Sequence, residues 1–407
     1  MRRKILTIRC YRIKKKVQLM KKAFGLLSLT AILILISSCS GQQEIPNDDM
    51  GAWLMNAHLN AEETPEELYE KALTEDTLIV YSSSTRVMDV KDSFETHYPG
   101  LTVYIKDTRS VDLIDVLKQE FDAGKYHCDI VLCSDDNGLI SQELIPKGIL
   151  YKYVPYDIAD KIRPENDTAT LPLVAEIEMA FYNTEVYNAP PISNWWELTE
   201  ERFYGKVVMP NPSKSFSAMG FVGMTMKNSN IMAQAYRDFY GTELALKEGE
   251  TAGEAYWRML TENGLILVNS SDEVVELVGT PGLTDPPVGI MVSSKLRMSD
   301  VGFNIEPVYD MAYFSGTYTP NSIMIAGGSK NINSAKLFIR WILGEIDGQG
   351  EGFKPYLQKG AWSVRSDIQS DSDRSLDELE YFLLDPAYIY DNLEDITAYW
   401  LTLTSAQ

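Results

Sequence analysis

The chain has 407 residues with 37 Lys+Arg against 58 Asp+Glu. That balance argues against nucleic-acid binding, which needs a positive surface to displace counterions from phosphates. The charge is also uneven: ten basic and no acidic residues fall at positions 1–38, so 27 basic face 58 acidic residues beyond them, a net charge of −31 that repels anionic lipid heads.

The leader comes first in chain order. Lys21-Lys22 precedes eleven apolar or small residues at 27–37, then Ser38-Cys39. This core is shorter than the ~20 residues a spanning helix needs, and its order of charge, grease and small residues is that of a secretory signal. Ile36-Ser37-Ser38-Cys39 resembles the bacterial lipobox, whose cysteine becomes the lipidated first residue of the mature chain. Residues 1–38 are therefore expected to be a signal peptide and Cys39 the lipid anchor, the sole evident membrane attachment. The basic stretch before Met20 is either an extended leader or an overlong start, Met20-Lys21-Lys22 being the more ordinary beginning.

Residues 39–63 are expected to form a polar, irregular tether, broken by the apolar patch Trp53-Leu54-Met55. Thr64-Pro65-Glu66-Glu67 predicts a helix start, with a capping Thr, Pro at the first position and Glu three residues after the cap. Strands are expected at 77–81, 101–106 and 129–133, alternating with helices at 87–97 and 111–124. This β-α-β-α-β order with nearly all-apolar strands implies a parallel sheet covered on both faces. Ligands in such sheets bind beyond the carboxyl ends of the strands, where the turns 82–85 and 134–138 fall. Cys128 and Cys133 in CDIVLC would stand roughly 16 Å apart on a strand, too far for a disulfide, and with no histidine at ligand spacing they are expected to be buried thiols.

A second α/β pattern follows, with a strand at 206–209, a loop at 210–217, a helix from 218, and further elements at 257–262, 266–268, 272–278 and 288–292. Residues 171–182 and 305–325 are expected to cross between two lobes. An amphipathic helix is expected at 333–343, with Ala335, Phe338, Ile339 and Ile342 on one face, and further helices in the tail.

The order of these segments resembles the extracellular solute-binding proteins of bacterial ABC importers, in the ferric-ion, phosphonate and hexose-phosphate-binding branch. The likeness is carried by Glu67-Leu-Tyr-Glu-Lys-Ala72 leading to Thr77-Leu-Ile-Val-Tyr-Ser82, then by Phe94-Glu-Thr-His-Tyr-Pro-Gly100 and Tyr182-Asn183-Thr184. It continues through Trp196-Glu-Leu, Tyr204-Gly-Lys-Val-Val-Met-Pro-Asn-Pro-Ser213, Val288-Gly-Ile and Ala335-Lys-Leu-Phe-Ile-Arg-Trp-Ile342, covering most of 64–366. The resemblance implies an α/β fold of two lobes, each a mainly parallel sheet flanked by helices, joined by two crossing strands (the type 2 periplasmic-binding-protein architecture). The implied division is lobe 1 at 64–175 and 306–366, lobe 2 at 176–305, and C-terminal helices at 367–407 packing on the lobes.

The resemblance also implies a cleft. Its first-lobe turns supply Ser83, Ser84 and Thr85, then Ser134, Asp135, Asp136 and Asn137. In the second lobe, Ser213, Lys214, Ser215 and Ser217 stand where relatives bind an anion at a helix N-terminus, and Ser270-Ser271 opens another helix. Ferric-binding relatives place a tyrosine pair where this chain has Ser293, Ser294, Lys295 and Leu296, so direct ferric coordination is not expected. Tyr309, Tyr313 and Tyr318 lie near the return crossing, where they could line the cleft or replace the missing phenolates, buried packing being the commoner role for such residues, so an iron-complex-binding protein of the same fold is kept as an alternative. Two ligand classes remain open: an organic phosphate, phosphonate or carboxylate held by hydroxyls, Lys214 and Lys295, or a polyamine- or thiamine-like cation held by Asp135, Asp136, Glu176 and Glu178 with the tyrosines.

No nucleophile elbow, HExxH helix, P-loop or dinucleotide glycine pattern is present, so no enzyme activity and no cofactor are expected. A lipid-anchored adhesin and a hydrolase are the alternatives from other classes. The implied partners are a small solute, an ABC permease and its ATPase, with the chain acting as a monomer at the cell envelope.

Overall fold

A computed structural model describes residues 48–163 and 166–405. The expected signal peptide and Cys39 lie outside the described residues.

The stretch expected to be an irregular tether carries helix α1 (Asp48–Ala57). Met50, Trp53 and Ala57 recur at helical spacing, and Met50 and Ala57 are buried. Trp53 packs on Tyr151 with ring centroids 5.3 Å apart and the ring planes tilted by 45°, and donates its Nε1 hydrogen to the Ser329 carbonyl at 2.8 Å. Downstream, the buried Lys336 ammonium reaches Glu63 at 2.5 Å and the His58 carbonyl at 3.0 Å, fixing the segment to the first lobe. An apolar patch with a hydrophobic face available to it docks rather than staying solvated.

Helix α2 (Pro65–Ala72) has the expected capping box, with Glu67 N–H donating to Thr64 Oγ1 at 3.2 Å and Thr64 N–H donating to Glu67 Oε2 at 2.9 Å. Then follow β1 (Leu78–Ser82), α3 (Val87–His97), β2 (Val103–Asp107), α4 (Ser110–Asp122), β3 (Ile130–Cys133) and the short β4 (Leu150–Tyr151). Strands β2, β1 and β3 are parallel neighbours. Cys128 and Cys133 are both buried free thiols.

Strand β5 (Leu171–Asn183) runs thirteen residues, every one buried. The second lobe adds β6 (Val207–Pro210), α5 (Phe216–Lys227), α6 (Ser229–Tyr240), α7 (Ala252–Glu262), β7 (Ile266–Val268), α8 (Ser271–Gly279), β8 (Val288–Val292) and β9 (Ile305–Pro307). Strand β10 (Gly316–Ala326) returns to the first lobe, followed by α9 (Ile332–Ile342), β11 (Trp362–Ser363), α10 (Pro386–Asp391) and α11 (Leu393–Thr404).

The strands form one continuous sheet in the order β2-β1-β3-β10-β5-β8-β6-β7. Strands β5 and β10 are antiparallel and belong to both lobes. Ser322 to Ile325 of β10 pair with β3, whereas Glu178 to Phe181 of β5 pair with β8, and the ladder slips register at Asn321/Ser322 where the chain crosses. Apolar clusters cover both faces of the sheet in each lobe. In the first, Val80, Phe94, Ile130 and Phe338 form one cluster and Leu113, Val131 and Met324 another. In the second, Trp195, Trp196, Phe221 and Trp257 form one and Val208, Val274 and Met291 another.

The C-terminal segment is integral to this packing. Phe382 joins the edge of the crossing by donating to the Gly316 carbonyl at 3.0 Å, and Trp400 of α11 is fully buried in the second-lobe core, edge-on to Trp257 at 5.7 Å. Helix α10 meets both lobes: Gly223 of α5 packs on Ile389, and the left-handed Gly138, with φ +74°, has no room for a Cβ beside the Pro386 carbonyl. Trp400→Ala is expected to destabilise the protein by about 3–5 kcal/mol, as for other large-to-small changes in closed cores. Denaturant unfolding followed by tryptophan fluorescence measures it, and a loss below about 1 kcal/mol would show that the tail contributes little to the second lobe.

Candidate functional site

Four helix N-termini open onto one cleft between the lobes: α3 and α4 from the first, α5 and α8 from the second. Each helix begins where a strand ends, so chain topology alone gathers four helix-dipole positive ends with their free N–H groups, two strand-to-helix turns per lobe, around a cavity of about 210 Å³.

The first-lobe wall begins where β1 stops. Ser84 N–H donates to Ser82 Oγ at 2.9 Å, closing a tight turn that presents Ser83, Ser84 and Thr85 to the cleft. Arg86 follows at the N-cap of α3. Its guanidinium is buried, pairs with Glu176 at 2.6 Å and lies 4.5 Å above the centroid of the Tyr356 ring, yet Nη1 has no hydrogen-bond partner. Arg109 and Ser110, at the start of α4, stand on the same wall.

The second-lobe wall is built around Ser215, which caps α5 by accepting from Ala218 N–H at 3.4 Å. Its hydroxyl is 3.1 Å from that of Ser217. Lys214 donates to Asn269 Oδ1 at 2.7 Å, and Ser270 caps α8. Lys295 pairs with Asp272 at 2.6 Å, while Arg297 donates to the Ser294 carbonyl at 2.7 Å and has no carboxylate within 4 Å among the described residues. Burial lowers the Lys295 pKa, with Arg297 adding to the effect, and burial lowers that of Arg297, with Arg86 across the cleft adding to it.

The floor is the crossing itself. Alternation along β5 sends Ala175, Ile177 and Met179 into an apolar cluster and turns Glu176 and Glu178 the other way, opposite Thr319 and Thr317 of β10. Glu176, Thr319 and Asn321 line the cleft. Glu178 lies beneath it, fully buried, with neither carboxylate oxygen hydrogen-bonded. Burial raises the pKa of Glu178 to about 8, Asp136 to about 7 and Asp135 to about 6.

Of the residues expected at the site, Ser83, Ser84, Thr85, Lys214, Ser215, Ser217, Ser271 and Ser294 line the cleft together. Others are placed elsewhere. Asp135 caps the turn after β3 by accepting from Ile140 and Ser141 N–H at 2.8 and 3.0 Å, and Asn137 accepts from Leu139 N–H at 3.1 Å. Asp136 accepts from Thr319 Oγ1 at 2.7 Å behind the wall. Ser213 is exposed, bonded through its N–H to Asn211, and Ser293 is wholly buried, taking the Ile177 N–H at 2.9 Å. Tyr313 stands on the surface at φ +71°, bonded to Asp238, while Tyr309 and Tyr318 border other cavities. These short polar side chains serve turns and caps, a demand that competes with any ligand for the same residue types.

Arg86, Arg109, Asn269, Asp272, Arg297, Thr319 and Asn321 also line the cleft and were not among the expected ligand residues. Arg86 and Arg109 had a legible signal, since each directly follows the turn after a strand and precedes a helix. Arg297 and Asn321 had none, because their approach depends on how the crossing folds. No tyrosine or histidine lines the cleft among the described residues.

Glu178 gives a direct test of this geometry. Its folded pKa is raised, so the native state retains a proton that the unfolded chain releases in the ordinary carboxylate range, and stability is lost as pH rises through that window. Glu178→Gln is therefore expected to gain melting temperature relative to the parent progressively from pH 5 to 8, with no further gain above. A constant difference across that range would show that Glu178 is ionised in the fold.

No family model and no curated protein matches the chain. Solved structures do. The iron-bound HitA of Pseudomonas aeruginosa is similar with a TM-score of 0.60 at 16% identity, over 81% of this chain and 99% of that one. The periplasmic binding protein AfuA of Actinobacillus pleuropneumoniae, with fructose-6-phosphate bound, has a TM-score of 0.61 at 18% identity over 81% and 99% of the two chains. MotA of A. tumefaciens B6, in complex with glucopine, has a TM-score of 0.59 at 11% identity over 81% and 99%. The chain has the two-lobed fold of the type 2 periplasmic binding proteins, with its cleft at the crossing of β5 and β10.

Proposed function

We propose that the chain is the solute-binding component of an ABC importer, capturing a small organic phosphate, phosphonate or carboxylate between its lobes and delivering it to a permease and its ATPase. The observation that carries this reading is the charge of the cleft. Arg86, Arg109, Lys214, Lys295 and Arg297 line it against Glu176 and Asp272, in a chain whose formal net charge is −21. Arg86, Arg109 and Lys295 are paired with Glu176, Asp112 and Asp272, which leaves Lys214 and Arg297 without a carboxylate within 4 Å among the described residues, two cations that a bound anion would complement. The four helix N-termini favour the same charge.

The neighbours named above were solved with iron, a sugar phosphate and glucopine, so the fold does not choose the solute. The choice rests on this cleft. A cationic ligand is disfavoured because Asp135 caps the turn after β3, Asp136 is buried behind the wall against Thr319, Glu178 is sealed beneath the floor and Glu176 is already paired with Arg86. Direct iron ligation is disfavoured by a lining of hydroxyls and cations without phenol or imidazole. In this reading Cys39 carries the lipid that keeps a monomeric receptor at the envelope, and no reaction is catalysed.

Thermal-shift screening of residues 40–407 against small anions and small cations tests the reading, because a ligand of the folded state raises the melting temperature by mass action. Small anions are expected to stabilise. For an anion so found, Arg297→Ala and the double variant Ser215→Ala/Ser217→Ala are each expected to weaken calorimetric affinity at least about tenfold, the loss of one or two charge-assisted hydrogen bonds. Stabilisation by cations alone, or unchanged affinity in both variants, would refute the assignment.

A further inference from the structure

The ladder of β5 and β10 carries a second cavity, of about 520 Å³, on the face away from the anion cleft. Neighbouring residues divide between the two: Ala175 and Tyr318 line this cavity, whereas Glu176 and Thr319, the next residue on each strand, line the cleft. Side chains alternate across a sheet, so the two sites share a wall and have no lining residue in common.

The outer wall is the segment from β11 to Leu383, and its own polar groups hold it in place. Ser370 Oγ accepts from Ser363 N–H at 2.7 Å, Ser372 Oγ accepts from Gly360 N–H at 3.0 Å, and Trp362 Nε1 donates to the Arg374 carbonyl at 2.8 Å. The cavity is therefore preformed, and its volume falls in the range of about 300–1,000 Å³ common for small-ligand pockets.

Its lining is aromatic within and acidic at the rim. Tyr318 and Tyr381 stack with ring centroids 5.8 Å apart and planes 24° apart, beside the buried Trp362. Leu383 at the edge is 66% exposed, apolar surface that a ligand can cover. The charges are unequal in their commitments. Arg374 is taken by Asp310 at 2.9 Å, outside the lining, and Glu378 accepts from Ser375 N–H at 3.0 Å. Asp373 and Asp377 are exposed, with no cation within 4 Å among the described residues, and only Arg163 of the lining stands against them. Ring faces attract cations through the aromatic quadrupole, and the rim carboxylates supply the same preference by charge.

We propose that this cavity is a second ligand site, separate from the anion cleft, that takes a small organic cation of the ammonium class. The cationic head is held by the tyrosine faces with Asp373 and Asp377, and the apolar part covers Leu383. The assignment is independent of what the cleft binds.

Choline is the probe, titrated by calorimetry into residues 40–407 beside two compounds of similar shape, the neutral 3,3-dimethylbutan-1-ol and the anionic 3,3-dimethylbutanoate. Choline is expected to bind at least about tenfold more tightly than the alcohol, as cation–π contact and charge pairing together predict. Asp373→Asn/Asp377→Asn, at exposed positions outside the core, is expected to weaken choline about fivefold and leave the alcohol unchanged. Tyr381→Leu, which keeps apolar bulk and removes the ring, is expected to weaken choline about threefold. Ser215→Ala/Ser217→Ala in the cleft is expected to leave choline binding as it was. Equal affinity for choline and the alcohol would overturn the proposal, and so would preference for the carboxylate, which would give the site to Arg163. Choline binding that survives both back-face variants, or that is lost with the cleft serines, would place it elsewhere and overturn the proposal as well. Absence of choline binding would overturn it while the anion reading stood.

Discussion

The structure depends on the antiparallel ladder between β5 and β10. These two strands are shared by both lobes, and the sheet would fall into two pieces without them. Because side chains alternate along a strand, one face of β5 is apolar throughout, while the other passes from one lobe's core to the next through Glu176 and Glu178. Polar residues are tolerated there because the cleft opens above them. The ladder therefore both joins the two lobes and forms the floor of the site.

The charge pattern follows from the same architecture. A parallel strand followed by a helix delivers the helix N-terminus to the carboxyl edge of the sheet, and the arrangement is repeated in both lobes. With the edges facing each other, their dipoles and the arginines at the caps of α3 and α4 add rather than cancel. The chain's acidic exterior keeps this cationic centre confined, and field lines focus into the cleft. Glu178, sealed below the floor, has its pKa raised by burial to about 8, so near neutral pH it takes little from the positive sign of the cleft.

Most of this fold was legible in the sequence because its strands are continuous apolar runs bounded by turn residues, as at Leu78–Ser82 and Ile130–Cys133. Helix α6 escaped notice because it follows α5 with only Asn228 between them. Helix α1 escaped because its apolar face is three residues wide and becomes informative only once Trp53 meets Tyr151 and Ser329, the latter 276 positions away in sequence. At the site, the serine-rich helix starts were readable from type and position. Which serines face the solute was not, since Ser293 and Ser294 are adjacent and only the second lines the cleft. The acidic loop Asp135-Asp136-Asn137 has the groups of ligand chemistry, but Asp135 and Asn137 serve the turn and Asp136 bonds to Thr319, because the same groups answer both demands.

In the proposed function an anion is held between the two lobes by Arg86 and Arg297 and by the N-terminus of α5. Crystals of residues 40–407 grown with selenate, a sulfate analogue that scatters anomalously, test it most directly. An anomalous peak is expected in the cleft, within hydrogen-bonding distance of the Ser215–Ser217 turn and the Arg297 guanidinium. An empty cleft, with selenate bound only elsewhere on the molecule, would contradict it.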